Sequence, residues 1–512
     1  MVSPLRARFW YTARQKILTS AVAVAVLAAV TWFAVDRATT PEDRSCAAGV
    51  ARPAGSAECV GVNGDGYDFG VPALTEVTGL IRAENGSLKP GEYATVALLL
   101  PLTSTDSGMR EKMLYEVVGA YARQYRANHE SNSETPKIRL VLANTGKGNA
   151  HWRTTVEQLK GMTGGEDRLR AVSGVATSST EIRQAVAALT GAGIAVVGTT
   201  ITADDIANGP GAGKNRYPGL ARVSPTNGDE AKALAHFGKV EGAKALLVQD
   251  TRTGDHYTDT LKAAFSASLK GAPYEPQLFT SPPDPTEEGT TANTFRQITH
   301  LICDTQAETV FFAGRHTQLR QFINALGARG CAERPFTILT GDEGSYLGAD
   351  TRLNRSALRA KLTVRYAALA HPDAWKPTTG RPVPATGGST AAYETFLADI
   401  ARASKKPVPL TDGQAIVAYD AMATAVHAIR QATPRGAQYP ELADVVTQWP
   451  QVKGSLRVDG ASGWICLDNY GNPFNKAVPI VELAEDGSQR FVQIAWPERT
   501  APKQECLPPG RG

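Results

Sequence analysis

The chain has 512 residues, 54 of them basic and 50 acidic, for a formal charge of +4 spread without long basic blocks. That balance argues against nucleic acid as a partner, which calls for a concentrated basic stripe. Eight histidines without regular metal spacing and the absence of G-x-S-x-G, H-E-x-x-H and C-x-x-C patterns give no support to familiar enzyme classes.

Residues Ile17 to Val35 are 19 consecutive uncharged residues between Lys16 and Asp36. As a helix at ~1.5 Å per residue they cover about 28 Å, close to the ~30 Å core of a bilayer. Arg6, Arg8, Arg14 and Lys16 precede the run, whereas charges of mixed sign follow it. The positive-inside rule then predicts a cytoplasmic N-terminus (1–16), a transmembrane anchor (17–35) and an extracytoplasmic remainder. A cleaved signal has a shorter apolar core, of 7–15 residues, and an A-x-A-like site. No convincing site of that kind follows here, and Cys46 lies too far from the run for a lipoprotein signal. An uncleaved, single-pass anchor is expected.

Residues 36–90 read as a linker, rich in Ala, Gly, Pro and charge before Cys59, with "VNGDGYDFG" (Val62–Gly70) as a Gly-rich turn in place of a full calcium loop. From Thr95 strands and helices alternate. "TVALLLPL" (Thr95–Leu102) is a continuous apolar run of the kind buried on both faces of a parallel sheet. A first series follows with strands at 138–143, 169–174 and 194–197 and helices near 109–128, 151–162 and 179–189. A second has strands at 245–250, 274–280, 309–312 and 336–340 and helices near 229–239, 258–269, 292–303 and 318–329. Leu319, Phe322, Ile323 and Leu326 recur at i, i+3, i+4, i+7 as one core-facing stripe. A Pro/Gly/Thr-rich loop (372–389) leads to helices near 393–405 and 413–431, the latter with Ile416, Tyr419, Ala423 and Val426 on one face, and then to strands and turns. The class is α/β with parallel sheets, in two doubly wound, Rossmann-like lobes.

The six cysteines are even in number, and in an oxidising compartment their order invites 46–59, 303–331 and 466–506. Six cysteines allow 15 connectivities, and free buried thiols are the alternative. "GPGAGKN" (Gly209–Asn215) imitates a phosphate loop but is one residue short and ends in Asn.

The order of elements resembles type I periplasmic binding proteins, the leucine/isoleucine/valine-binding receptors of ABC transporters. "VALLLPLTSTDSGMREKMLYEVVGAY" resembles the opening strand, ligand loop and first helix of that family. "AVSGVATSSTEIRQAVAALTGAGIAVVGTTITADDI" is similar to its two Ser/Thr-rich turns, and "ARVSPTNGDEAKALAHF", "ALLVQDTRTGDHYTDTLKAAF", "ETVFFAGRHTQLRQFINALGARG", "FTILTGDEGS" and "AIVAYDAMATAVHAI" continue the likeness over roughly 400 residues. The resemblance implies a hinge of three crossovers between discontinuous lobes: 91–222 in lobe 1, 223–345 in lobe 2, 346–453 back in lobe 1, and 454–512 as C-terminal strands and tail.

Open α/β sheets bind ligands beyond the carboxyl ends of their strands. Ser178 and Ser179 stand there with hydroxyls and amides for a ligand carboxylate, although Ser178 with Glu181 also reads as a capping box. The resemblance aligns Thr200, Ile201 and Thr202 with a second carboxylate turn, Glu343 with the acid that pairs a ligand ammonium, and Tyr257 with an aromatic wall. Asp106 and Ser107 lie in the first ligand loop. Each of these is otherwise an ordinary turn residue. Arg315 departs from the family by replacing an aromatic residue; it either seeks an anionic group or pairs with Glu343. His316 beside it reads as a polar rim residue.

These readings predict a membrane-tethered receptor, not an enzyme, that closes on a small polar ligand (an amino acid or related carboxylate), without cofactor, for an ABC permease. The alternatives are a sensor or protein-interaction module of the same fold, and an anchored enzyme. A pocket joining Ser178, Thr202, Tyr257 and Glu343 favours the receptor, a cleft filled by its own side chains the interaction module, and a nucleophile–base pair the enzyme.

Overall fold

The computed structural model describes residues 12–39, 44–131, 133–210, 214–378 and 380–508. It divides into two compact units, 1–45 and Cys46–Gly512. In the first, α1 (Ala13–Thr39) contains one stretch, Ala13–Trp32, long and apolar enough by length and composition to cross a membrane. Its apolar side chains are bare, with Ile17 70%, Leu27 67% and Val30 62% exposed. Arg6 and Arg8 of the expected cytoplasmic segment lie outside the described residues, as does part of the phosphate-loop imitation (211–213).

The second unit begins with a correction. The segment read as a flexible stalk instead forms β1 (Ser45–Ala47), β2 (Val50–Ala51) and β3 (Val60–Asn63), followed by α2 (Thr75–Gly86). The Cys46–Cys59 disulfide spans these short strands. Residue composition marked the loops but hid the pairing, because strands of two to four residues show too little alternation to read.

Next come β4 (Tyr93–Leu100), α3 (Ser107–His129), β5 (Lys137–Asn144), α4 (Trp152–Gly161), β6 (Leu169–Gly174), α5 (Thr180–Gly191), β7 (Ala195–Gly198) and β8 (Leu220–Arg222). They build an eight-stranded sheet of order β1-β2-β3-β5-β4-β6-β7-β8. Its β5-β4-β6-β7-β8 part is parallel, and β3 joins β5 antiparallel. β4 sits inside and is buried from Ala94 to Leu100, as a two-sided apolar strand requires.

The chain then builds a second sheet through α6 (Asn227–Gly238), β9 (Ala245–Asp250), α7 (His256–Ser268), β10 (Gln277–Phe279), α8 (Thr291–Cys303), β11 (Thr309–Ala313), α9 (His316–Gly327), β12 (Phe336–Thr340) and β13 (Leu362–Ala367). β13 pairs parallel with β12, so the return crossing lies after Ala367 and not at 346 as the sequence reading had it. α10 (Thr390–Ala403) and α11 (Gln414–Ala432) then cover the first sheet in one hydrophobic core with α3 and β4. α12 (Leu442–Val446) and the hairpin β14 (Val458–Gly460) with β15 (Gly463–Ile465) lead to the third crossing. β16 (Val478–Leu483) and β17 (Gln489–Ala495) finish the second sheet antiparallel, in the order β10-β9-β11-β12-β13-β16-β17.

Helices lie on both faces of each sheet. α4 and α5 pack opposite α3 and α11 on the first; α8 and α9 pack opposite α6 and α7 on the second. All four residues of the predicted α9 stripe are fully buried. α11 departs from its predicted single face: it is buried nearly all round, wedged between α3 and the sheet. The disulfides Cys303–Cys331 and Cys466–Cys506 complete the expected set.

Candidate functional site

The carboxyl ends of the parallel strands in both sheets face a common gap. From the first sheet come Pro101 and Ser104 after β4, Lys147 to Asn149 after β5, and Thr177 to Glu181 after β6. From the second come Arg252 to Asp255 after β9, Pro283 to Thr286 after β10, and Arg315 after β11. They enclose a cavity of about 530 Å³, within the range of small-molecule pockets. β6 ends on Gly174 (φ +93) followed by Val175 (φ 56), two residues of positive φ just ahead of the 177–181 turn. A Cβ on Gly174 would sit 2.7 Å from the Leu99 carbonyl, so only glycine fits.

Contacts from the two lobes meet across the gap. Lys147 Nζ lies 3.6 Å from Asp284 Oδ2. His256 of α7 places Nε2 3.2 Å from Thr180 Oγ1 and pairs through Nδ1 with Asp205, both from the first lobe. The amide of Asn227 donates to the Thr202 carbonyl at 2.7 Å.

The second-lobe wall is built around Arg315. Its Nε and Nη2 donate to the two Asp255 oxygens, each at 2.8 Å, and Nη1 donates to Glu343 Oε1 at 2.8 Å. The guanidinium stacks 4.6 Å from the Tyr257 ring centroid. Glu343 Oε2 takes the His316 backbone N–H at 3.0 Å and stands 2.7 Å from His316 Nδ1. Asp255 also caps α7 through Tyr257 and Thr258 and takes Arg252 Nη2 at 2.7 Å. Burial opposes ionisation of Asp255 and Glu343, but the Arg315 guanidinium outweighs it and holds both carboxyls below their ordinary range. Burial likewise works against the Arg315 charge, and the same two acids override it. His316, expected at a polar rim, is mostly buried against Glu343 and Tyr346.

Deeper between the lobes lie acids with less compensation. Burial pushes Glu116 of α3 up to about 7, against the pull of Lys112 and the Thr199 hydroxyl. Burial and Glu343 push Asp342 of the second lobe up to about 7. Burial and Asp342 raise Glu230 of α6. Glu116 Oε1, Glu230 Oε1, Asp342 Oδ1 and Thr202 Oγ1 are buried without a hydrogen-bond partner.

Of the residues expected from sequence, Ser178, Ser179 and Arg315 line the cavity. Ser179, not Ser178, caps α5, accepting from the Ile182 amide at 3.3 Å, while Ser178 Oγ accepts from the Ala203 amide at 3.3 Å. The expected capping box does not form: with Ser179 as the cap the third helical position is Ile182, which has no side-chain acceptor to return to the cap amide. Asp106 caps α3 through the Met109 amide at 2.8 Å, beside the lining residues Ser104 and Met109, and Ser107 is exposed at the helix head. Thr200, Ile201, Thr202, Tyr257 and Glu343 are buried and lie outside the lining of this cavity. Lys147, Asn149, Thr177, Thr180, Arg252, Asp255 and Asp284 line it without having been singled out. For Asp255 a signal existed: an Asp just ahead of a helix is a capping position.

No protein-family model matches the chain, and no curated protein sequence matches it. Solved structures do. The branched-chain amino acid transporter substrate binding protein of Streptococcus pneumoniae, in complex with isoleucine, aligns with a TM-score of 0.56 at 14% identity, over 79% of this chain and 99% of that one. A leucine binding protein of Thermotoga maritima aligns at 0.56 and 16%, over 79% and 99%. The solute binding protein of an ABC transporter of Rhodopseudomonas palustris HaA2, in complex with p-hydroxybenzoic acid, aligns at 0.57 and 16%, over 78% and 96%. With two sheets each wound on both faces, three crossings and this likeness together, the chain has the fold of the type I periplasmic binding proteins.

Proposed function

We propose that this protein is an extracytoplasmic receptor, tethered by α1, that captures a small organic ligand between its lobes and presents it to an ABC permease. The observation that carries the reading is the cavity of about 530 Å³ walled by strand ends of both sheets. A ligand held there touches both halves at once, so its binding energy favours the closed arrangement of a hinged pair. The names of the aligned structures support an amino acid or related carboxylate as ligand. Ser178, Ser179 and Arg315 are the residues we assign to contact it. α1 supports the tether by its length and bare apolar surface.

A thermal-shift screen of the full chain in detergent against amino acids, organic acids and sugars tests the reading. A ligand at one hundred times its Kd raises stability by about 2.7 kcal/mol, and silence across the whole panel sinks the receptor.

The anchored-enzyme reading has one observation in its favour: Thr180 Oγ1, His256 and Asp205 stand in the order of a hydroxyl–imidazole–carboxylate relay. Those groups come from opposite lobes, and Thr180 Oγ1 also contacts the Gly254 carbonyl at 3.4 Å, so we assign them as a latch between closed lobes. Hydrolysis of a chromogenic ester, lost in Thr180→Ala and His256→Ala, would favour the enzyme instead.

A further inference from the structure

The second-lobe wall of the cavity carries a charge-balanced chain of ion pairs, Arg252–Asp255–Arg315–Glu343. Asp255 and Glu343 supply two negative charges; Arg315 and Arg252 supply two positive ones. All four carboxylate oxygens are engaged: those of Asp255 by Arg315, Arg252 and the α7 amides, those of Glu343 by Arg315 and His316. Of the pair Glu343 and Arg315, only Arg315 reaches the cavity surface. An ammonium group entering there meets a guanidinium beside Asp255, which lines the cavity but is already neutralised by Arg315 and Arg252, while Glu343 lies outside the lining. The first-lobe wall differs in kind. It offers the Lys147 ammonium, 48% exposed and only loosely held by Asp284 at 3.6 Å, and the hydroxyls of Ser179 and Thr180, with the Glu181 carboxylate as its one acid. Pro101, Met109, Pro283 and Pro285 supply apolar surface between the two.

We propose that Arg315 is a resident counter-ion that sets the ligand class: the cleft takes a small organic carboxylate without an ammonium group and rejects α-amino acids. This rests on the receptor reading and sharpens it. The carboxylate is held from the first lobe, and Arg315 occupies the space and the charge balance that an ammonium would need. Replacing it with a neutral side chain of similar length frees Asp255 and Glu343 for a cationic guest.

Matched pairs test this on the full chain in detergent: leucine against 4-methylpentanoate, and phenylalanine against 3-phenylpropanoate, by calorimetric titration. In the wild type the deaminated member of a pair binds at least tenfold tighter. In Arg315→Met the preference reverses, while Arg315→Lys, which keeps a cation between the two acids, retains it. An amino acid that binds the wild type as tightly as its deaminated partner overturns the inference and leaves the receptor intact. Silence of the wild type toward all four compounds and the wider screening panel overturns both. The wild-type comparison decides the matter even where Arg315→Met does not fold.

Discussion

Asp255 does three jobs with two oxygens: it caps α7, forks with Arg315 and holds Arg252. Asp255→Asn keeps the cap and the shape but leaves Arg315 with half its compensation. Removing one partner of a buried pair costs about 3–5 kcal/mol, so urea unfolding of this variant should show a loss of about 3 kcal/mol. A surface role would give less than ~1 kcal/mol. Sequence exposed part of this site and hid the rest for a physical reason. The serines after β6 are readable because they follow a strand and open a helix. The part of Asp255 in the ion-pair chain is not, because it lies 60 residues from Arg315, and pairing over such a separation leaves no local pattern. Of the two choices open for Arg315, the pairing with Glu343 is the one formed, and Asp255, which the sequence reading did not name, shares it.

α3 and α11 approach closely at Gly119, where an added Cβ would stand 2.2 Å from the Ala415 carbonyl oxygen. Gly119→Ala therefore forces two helices apart although alanine is the better helix former. Overpacking of this kind costs about 1–3 kcal/mol. Denaturant titration should place the variant about 2 kcal/mol below wild type, where propensity alone predicts a gain. Such a contact also explains why α9 was read correctly and α11 was not. α9 lies on the outside of a sheet, so its Leu319–Phe322–Ile323–Leu326 stripe records the one face it buries. α11 is enclosed by α3 on one side and the strands on the other, and a helix enclosed on every side has no polar face to mark its orientation. The short strands β1, β2 and β8 escaped notice because two or three residues fall below the four or more over which alternation can be read.

At the scale of the whole molecule, Glu116 of one lobe and Asp342 of the other are both buried and both feel Lys112, with Arg315 a further cation near Asp342. Burial raises both to about 7 in the folded form, against about 4 when exposed. Raised carboxyl pKa values mean that the packed form binds more protons, so its stability is greatest below about 4.5 and declines as pH rises to 7. Asp255 and Glu343 act oppositely, but their window lies at lower pH, below their exposed values. The melting temperature should fall between pH 5 and 8, and Glu116→Gln should flatten that slope; a slope unchanged in the variant would remove Glu116 from the account. Lys476, which burial lowers to about 8, contributes only above that value, where stability rises with pH. The two-lobed plan itself was legible in the strand–helix alternation, because every buried parallel strand has to be apolar on both faces. The place of the return crossing was not, since β13 follows a stretch of irregular turns.

The three crossings have a consequence for biosynthesis. The first sheet gains its covering helix only with residues 414–432, and the second gains its last two strands only with Val478–Ala495. A ribosome or a translocation channel releasing this polypeptide from its N-terminus therefore yields no finished half until nearly the whole length has emerged. Long-range pairings of this sort are slow to form, so the nascent chain stays open until late and assembly of both halves waits for the end of synthesis.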